Sequence, residues 1–147
     1  MRLPVTTEQF LVEYWQQRPL LCPQALPNFQ SPITAEELAG LAMEPDIESR
    51  MVWQDVGVWH QQAGPFKEQA FQGKAPWTLL VQRVDCFHAG VSALRNTLPP
   101  VPRWRFDDVM VSFATDQAGV GPHFDRYDVF LLQGMGRREW RIGPHCD

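Results

Sequence analysis

Three side chains near the end of the sequence have the types and spacing to act together on a metal ion and an organic acid. His123 and Asp125 lie two residues apart in "GPHFDRYD", and Arg138 follows Asp125 by thirteen residues. Side chains two residues apart on a strand leave the same face, so the pair could converge on one ion. Mononuclear iron sites use this chemistry, with two histidines and one carboxylate on one face of an octahedron.

Arg138 could bind a dicarboxylate through two parallel hydrogen bonds while the other end of that molecule chelates the metal. Both interpretations have structural alternatives. The H-x-D spacing is short enough for chance matches, so His123 could be a strand-end histidine beside a carboxylate. Arg138 could be a solvated strand arginine, because Arg137 and Arg141 show that the stretch is rich in arginine. Its position across the "GMG" turn from Asp125 favours the binding role.

The elements that must position these residues are predicted to be antiparallel strands. In "RFDDVMVSFA" the pattern has a period of two. The packed face consists of Val109, Val111 and Phe113, and a mixed face, which could line a cavity, of Phe106, Asp108, Met110 and Ser112. A second strand of about ten residues is predicted from His123, and "RREWRIG" is predicted to be a third strand after the "GMG" turn.

The first hundred residues are predicted to be mainly helical. Capping boxes at Thr6 and Thr34 predict two helix starts, and "MVW" with "VGVWH" predicts a hairpin within residues 50–62. A longer helix, ended by "LPPVP", is predicted from the spacing of Leu80, Val84, Phe87, Val91 and Leu94. The order of the elements therefore predicts an α+β fold, or a β-domain with a helical prefix.

Composition limits the classes of protein to which the chain could belong. A length of 147 residues with 44% hydrophobic residues is typical of one globular domain. A net charge of −4 argues against nucleic acid as a partner. The absence of a signal sequence or a long apolar run predicts a cytoplasmic protein without a membrane span. The three cysteines, Cys22, Cys86 and Cys146, are few and far apart, which favours free thiols.

Three stretches of the sequence resemble one known family. "FLVEYWQQRPLL", "ELAGLAMEPDIESRMV" and "VGPHFDRYDVFLLQGMGRREWRIG" are similar to bacterial JmjC-domain ribosomal oxygenases of the cupin-like group, which hydroxylate an arginine of a large-subunit ribosomal protein. The resemblance covers nearly the whole chain. It implies a mainly β double-stranded β-helix, or jelly-roll, with residues 1–102 as a helical N-terminal region containing the hairpin and residues 103–147 as the first strands of an incomplete jelly-roll.

The resemblance also implies the cofactors and the roles of single residues. Ferrous iron would be the metal, 2-oxoglutarate and O2 the cosubstrates, and the β-carbon of the substrate arginine the position hydroxylated. His123 and Asp125 would be two iron ligands, and Arg138 would bind the distal carboxylate of 2-oxoglutarate. The substrate pocket would contain Asp108, Met110 and Tyr127. Each of the three also has a structural interpretation. Asp108 could be a charge at a strand edge, Met110 a core residue, and Tyr127 a side chain that covers the edge of a sheet.

The chain departs from the family pattern because the second histidine ligand, expected on a late strand, has no counterpart up to residue 147. His145 follows Asp125 too closely, and His60 and His88 are predicted to be surface or structural residues. The family's dimerisation region and winged-helix module are also missing, although a homodimer is the family expectation. We therefore expect the N-terminal part of a longer oxygenase, inactive alone or dependent on association.

Two other functions compete with the oxygenase. A non-catalytic cupin-like module could recognise a ribosomal protein without oxidising it, and the missing third ligand favours that alternative. A metal hydrolase using the H-x-D pair is less favoured, because no second acidic or histidine cluster has suitable spacing.

Overall fold

A four-stranded antiparallel sheet forms the centre of the protein in the computed structural model, which describes residues 1–73, 75–98 and 101–143. The strands are β1 (Ser49–Asp55), β2 (Val58–Ala63), β3 (Trp77–Val81) and β4 (Val111–Ala114). They lie in the order β2-β1-β3-β4. β1 and β3 are therefore central strands, and β2 and β4 lie at the edges.

Short helical segments surround the sheet. They are α1 (Thr7–Gln9), the π-helical turn Phe10–Tyr14, α2 (Ala35–Met43), α3 (Ala89–Leu94) and the 3-10 turns Glu68–Gln72, Val84–Cys86 and Arg103–Arg105. Both predicted capping boxes are confirmed. The hydroxyls of Thr6 and Thr34 accept from the backbone N–H of Gln9 and Glu37, whose side chains accept from the two cap N–H groups.

The predicted hairpin is confirmed as β1 and β2. Asp55 pairs with Val58, which leaves Val56 and Gly57 as a two-residue loop. Both loop residues have positive φ, 45° and 81°, as the tight turn between two right-twisted strands requires. Gly57 adopts this conformation at little steric cost.

The predicted long helix across residues 80–94 is wrong. Residues 77–81 form β3, and only Ala89–Leu94 at the end of the stretch is α-helical. All five residues of β3 are buried, so both of its faces are covered by other protein, and four of the five are apolar. A short, continuous apolar run is compatible with either a helix or a buried strand. Its pairing with β1 and β4 on either side decides in favour of the strand.

The hydrophobic core lies between one face of the sheet and the helices α2 and α3. Its buried members are Ile33, Leu38, Ala42, Ile47, Met51, Phe66, Trp77, Leu79, Val81, Val84 and Val91. The predicted packed face of the β4 region is confirmed, because Val109, Val111 and Phe113 all pack against this core.

The predicted strands of the last third are mostly wrong. β4 begins at Val111 rather than near Phe106, and the described residues after Ala114, up to residue 143, form no strand. Alternating side chains provide an apolar face, but a strand also needs a neighbouring backbone to complete its hydrogen bonds. Because β4 pairs with β3, one sheet contains strands from both sides of residue 102. The division into residues 1–102 and 103–147 stays a prediction.

Membrane spans and cysteines can be judged only for the described residues. No helix among them is long and apolar enough to cross a bilayer. Cys22 and Cys86 are free thiols, as predicted. Burial raises the pKa of the Cys22 thiol, which disfavours the reactive thiolate. Cys146 and His145 lie outside the described residues.

Candidate functional site

The fold brings His123 and Asp125 together. Nε2 of His123 lies 3.9 Å from Oδ2 of Asp125, and the two side chains are 51% and 42% exposed. The predicted strand is absent here, so the convergence comes from an irregular segment rather than from strand alternation.

The tautomer of His123 is set by a hydrogen bond to the backbone. Nδ1 lies 3.0 Å from the carbonyl oxygen of Gly121. Because a carbonyl only accepts, Nδ1 must carry the proton, and in the neutral ring Nε2 is then the nitrogen with the lone pair. Metal-binding histidines usually donate their second ring N–H in this way. This favours a ligand role over the structural alternative.

The chemistry of the pair fits a divalent metal ion, although two donors are not a complete site. A neutral imidazole nitrogen and a carboxylate oxygen can each donate a lone pair to such an ion. Imidazole and carboxylate are also the ligand types of the iron sites described above. Within the described ranges, no group of three or more His, Cys, Asp or Glu side chains could hold a metal.

The other two described histidines have structural environments, as the sequence predicted. The His60 ring stacks on Trp53 with the ring centroids 5.6 Å apart. His88 caps α3, where its Nδ1 accepts from the backbone N–H of Val91 at 3.3 Å.

Arg138 is half-buried beside an aromatic ring. Its guanidinium carbon lies 5.7 Å from the centroid of Trp140, a cation–π distance. The neighbouring Arg141 is 90% exposed and pairs with Glu139. Arg138 is thus the more enclosed of the two, and its role with a dicarboxylate stays a prediction.

The three predicted substrate residues lie in different environments. Asp108 is half-buried, and its Oδ2 accepts from the backbone N–H of Arg83 at 2.8 Å. Met110, which directly precedes β4, is 42% exposed, and Tyr127 is 68% exposed. Asp108 therefore has one carboxylate oxygen in a structural bond, and the pocket as a whole stays a prediction.

A buried ion pair, which sequence reasoning missed, anchors the segment that carries Asp108 and Met110. Asp85 is buried and pairs with Arg95 at 2.8 Å, while its other oxygen accepts from the backbone N–H of Val109 at 2.9 Å. Arg95 also donates to the carbonyl of Phe106 at 3.2 Å. Asp85 lies in the 3-10 turn Val84–Cys86 and Arg95 follows the end of α3, so the two residues belong to different elements and no period within one element predicted their pairing.

The comparisons with known proteins agree with the resemblance seen in the sequence. Residues 93–147 match the sequence model of the JmjC domain. The chain is 44% identical to the ribosomal protein uL16 3-hydroxylase of Escherichia coli (strain K12), over 99% of this chain and 40% of that protein. It is 37% identical to a probable ribosomal oxygenase of Haemophilus influenzae, over 97% of this chain and 36% of that protein.

Solved structures show that most of this chain shares the fold of part of a ribosomal oxygenase. The structure of YcfD from Escherichia coli with cobalt and 2-oxoglutarate aligns with a TM-score of 0.78 and 41% identity, over 85% of this chain and 35% of that one. The complex of YcfD with cobalt and succinic acid gives a TM-score of 0.77. The predicted α+β fold with a mainly β core is confirmed. The chain spans about 40% of the length of the E. coli relative.

Proposed function

We propose that this chain belongs to an Fe(II)- and 2-oxoglutarate-dependent oxygenase that hydroxylates the β-carbon of an arginine in a large-subunit ribosomal protein. The observation that carries the proposal is the His123–Asp125 pair, with Nε2 and Oδ2 3.9 Å apart and Nδ1 bonded to Gly121. The identity with the uL16 hydroxylase and the YcfD complexes with cobalt and 2-oxoglutarate support it. Such a reaction belongs in the cytoplasm, where ribosomal proteins are made.

Each candidate residue has a distinct part in this proposal. His123 and Asp125 would hold the metal, and a further histidine from outside these residues would complete the set of three. Bound ferrous iron supplies oxygen activation, which is coupled to oxidative decarboxylation of 2-oxoglutarate. Arg138 binds the distal carboxylate of 2-oxoglutarate and so fixes its orientation.

The substrate arginine needs a negative partner and an apolar wall, because a buried guanidinium must be paired. Asp108 would provide the charge through Oδ1, since its Oδ2 accepts from Arg83. Met110 and Tyr127 would provide the wall beside the aliphatic part of the substrate side chain.

The test is mass spectrometry of large-subunit ribosomal proteins from cells that carry His123→Ala or the unchanged gene. Arginine hydroxylation should disappear in the variant. His60→Ala is the matched control, because His60 stacks on Trp53 of the neighbouring strand, and it should leave hydroxylation unchanged. An unchanged level in His123→Ala would reject the catalytic proposal.

A binding module without catalysis is the second candidate, favoured by the two-donor metal site among the described residues. Under that function the chain would retain a basic ribosomal-protein peptide equally well with and without metal and 2-oxoglutarate. Under the oxygenase proposal, binding of the peptide should depend on the metal and on 2-oxoglutarate. Peptide binding by fluorescence anisotropy, with and without Mn(II) and 2-oxoglutarate, distinguishes the two.

A further inference from the structure

The segment between β4 and His123 crosses one face of the sheet. Near β4, the Thr115 hydroxyl accepts from the backbone N–H of Trp77 on β3 at 2.9 Å. Further along, the carbonyl of Gly119 accepts from the buried Thr78 hydroxyl on β3 at 3.0 Å. The segment then reaches Trp59 on β2, at the opposite edge of the sheet from β4. Residues 115–121 are named here the crossing loop.

The crossing loop ends directly on the indole of Trp59. A Cβ atom added to Gly121 would lie 2.9 Å from Cδ2 and Cε2 of that ring, and one added to Gly119 would lie 3.5 Å from it. Gly121 also has φ of +79°, a conformation that other residues rarely adopt. Glycine at 121 therefore satisfies a close approach and a backbone conformation at once.

The same glycine holds His123. Its carbonyl accepts the Nδ1 proton at 3.0 Å, and the Nε2 that faces Asp125 is then the lone-pair nitrogen. A displacement of Gly121 by a few tenths of an ångström would lengthen this bond. The Nδ1–H tautomer would then be favoured less strongly over the Nε2–H tautomer.

We propose that Trp59 is a positioning residue for His123. The indole fixes Gly121, the Gly121 carbonyl holds the Nδ1 proton, and Nε2 is presented as a ligand atom toward Asp125. The effect on the tautomer does not depend on the proposed function. The effect on metal affinity rests on the proposed function.

The exposure of Trp59 agrees with this role. All six residues of β2 are exposed, and Trp59 is 39% exposed, so its ring adds little to the hydrophobic core. The part of the ring that is covered includes the contact with Gly119 and Gly121. Removing the ring should therefore affect the crossing loop more than the stability of the sheet.

The first test reads the tautomer of His123 by two-bond proton–nitrogen NMR, without metal, at a pH at which the ring is neutral. We expect an Nδ1–H signal in the unchanged chain, a mixture of tautomers in Trp59→Ala and Gly121→Ala, and the Nδ1–H form again in Trp59→Phe. Trp104→Ala is the matched control, because Trp104 is 79% exposed on a different segment.

Two results would overturn the proposal. One is an Nε2–H tautomer in the unchanged chain. This measurement does not depend on whether any variant folds. The other is an undisturbed Nδ1–H form in Trp59→Ala, or in Trp59→Leu if the alanine variant does not fold, since packing alone would then explain the tryptophan.

The second test is a Co(II) titration followed by visible absorption. Loss of a group that orients a metal-binding histidine costs about ten- to a hundredfold in metal affinity. We expect about tenfold weaker binding in Trp59→Ala, which acts through Gly121, and unchanged binding in Trp104→Ala. Equal affinities in the unchanged chain and Trp59→Ala would overturn the metal part of the proposal. Absence of Co(II) binding in the unchanged chain, with a tautomer that still responds to Trp59→Ala, would overturn the metal part of the proposal and leave the positioning of His123 by Trp59 supported.

Discussion

At the scale of single residues, the hydrogen bond of His123 says more about function than its neighbour Asp125 does. A histidine and an aspartate two residues apart occur by chance in many proteins. A backbone carbonyl that fixes the Nδ1 proton is the arrangement expected beside a metal, because it leaves Nε2 as the donor. The hydrogen bond from Nδ1 to the Gly121 carbonyl, more than the H-x-D spacing, therefore marks the candidate site.

Arg138 can be tested against a neighbouring arginine. Arg138→Ala is expected to weaken 2-oxoglutarate binding by roughly ten- to a hundredfold, because a charge-assisted hydrogen bond contributes about 1.5–3 kcal/mol. Arg141→Ala should change binding little, since Arg141 is 90% exposed and pairs with Glu139. Isothermal titration with Mn(II) present measures both. Equal losses in the two variants would indicate a general charge effect instead.

At the scale of elements, short hydrogen-bonded connections hold the segments that carry the site. α2 begins at a complete capping box, and the segment before β4 is tied to Asp85 and Arg95. Each connection can be removed by one substitution, and its contribution can be measured as a change in the free energy of unfolding.

Removing the cap of α2 should destabilise the fold by about 1 kcal/mol, the usual effect of replacing an N-cap threonine by alanine. The variant is Thr34→Ala, which removes the hydroxyl that accepts from the Glu37 N–H. Urea unfolding followed by circular dichroism gives the free energy of unfolding. Thr6→Ala removes the equivalent cap of α1, which has only three residues, and should lower the free energy of unfolding by less. A larger loss in Thr6→Ala would contradict this ranking.

The same cap predicts a pH dependence. The backbone N–H of Thr34 donates to Glu37 and holds the pKa of this carboxyl below its ordinary value. Because the folded pKa is the lower one, the stabilisation is present above the ordinary pKa of glutamate and is lost as the pH falls through the lowered value. Unfolding free energies of Glu37→Gln and the unchanged chain should therefore differ most near neutral pH and converge in acid. A difference that grew in acid would contradict the assignment.

The ion pair before β4 should contribute more than the cap. Asp85→Ala is expected to lower the free energy of unfolding by roughly 3 kcal/mol, because it leaves the Val109 N–H without its acceptor and removes the carboxylate partner of Arg95. Asp85→Asn retains an amide oxygen and should cost less. Asp116→Ala, at an exposed position, is the control for urea unfolding. A loss in Asp85→Ala no larger than in that control would contradict the anchoring role.

At the scale of the whole molecule, the described residues after β4 expose many of their large apolar side chains. In the segment after β4 these are Phe124, Tyr127, Val129, Leu131, Met135, Trp140 and Ile142. Clusters of exposed apolar groups mark surfaces that other protein segments cover. The chain also aligns with only part of its longer relatives.

The isolated 147-residue chain is expected to associate with itself as its concentration rises. Exposed apolar groups and the open edge strands β2 and β4 both favour pairing between chains. Sedimentation velocity at increasing concentration measures the association, and Leu131→Glu with Ile142→Glu should reduce it. A monomer at all concentrations would contradict this expectation, and full 2-oxoglutarate turnover by that monomer would contradict the prediction that the chain alone is inactive.

The sequence by itself determined the features that depend on local spacing. The capping boxes at Thr6 and Thr34, the hairpin around Gly57 and the packed face of Val109, Val111 and Phe113 were all predictable, because each needs only residues close together in the chain. The family resemblance and the H-x-D pair were also present in the sequence.

Only the tertiary structure decided which segments pair and which residues orient the site. Residues 77–81 became a strand because β1 and β4 flank them, and residues after Ala114 formed none among those described. The contact between Trp59 and Gly121 and the pairing of Asp85 with Val109 join positions far apart in the chain. Such contacts depend on how the chain folds back on itself, and no local period encodes them.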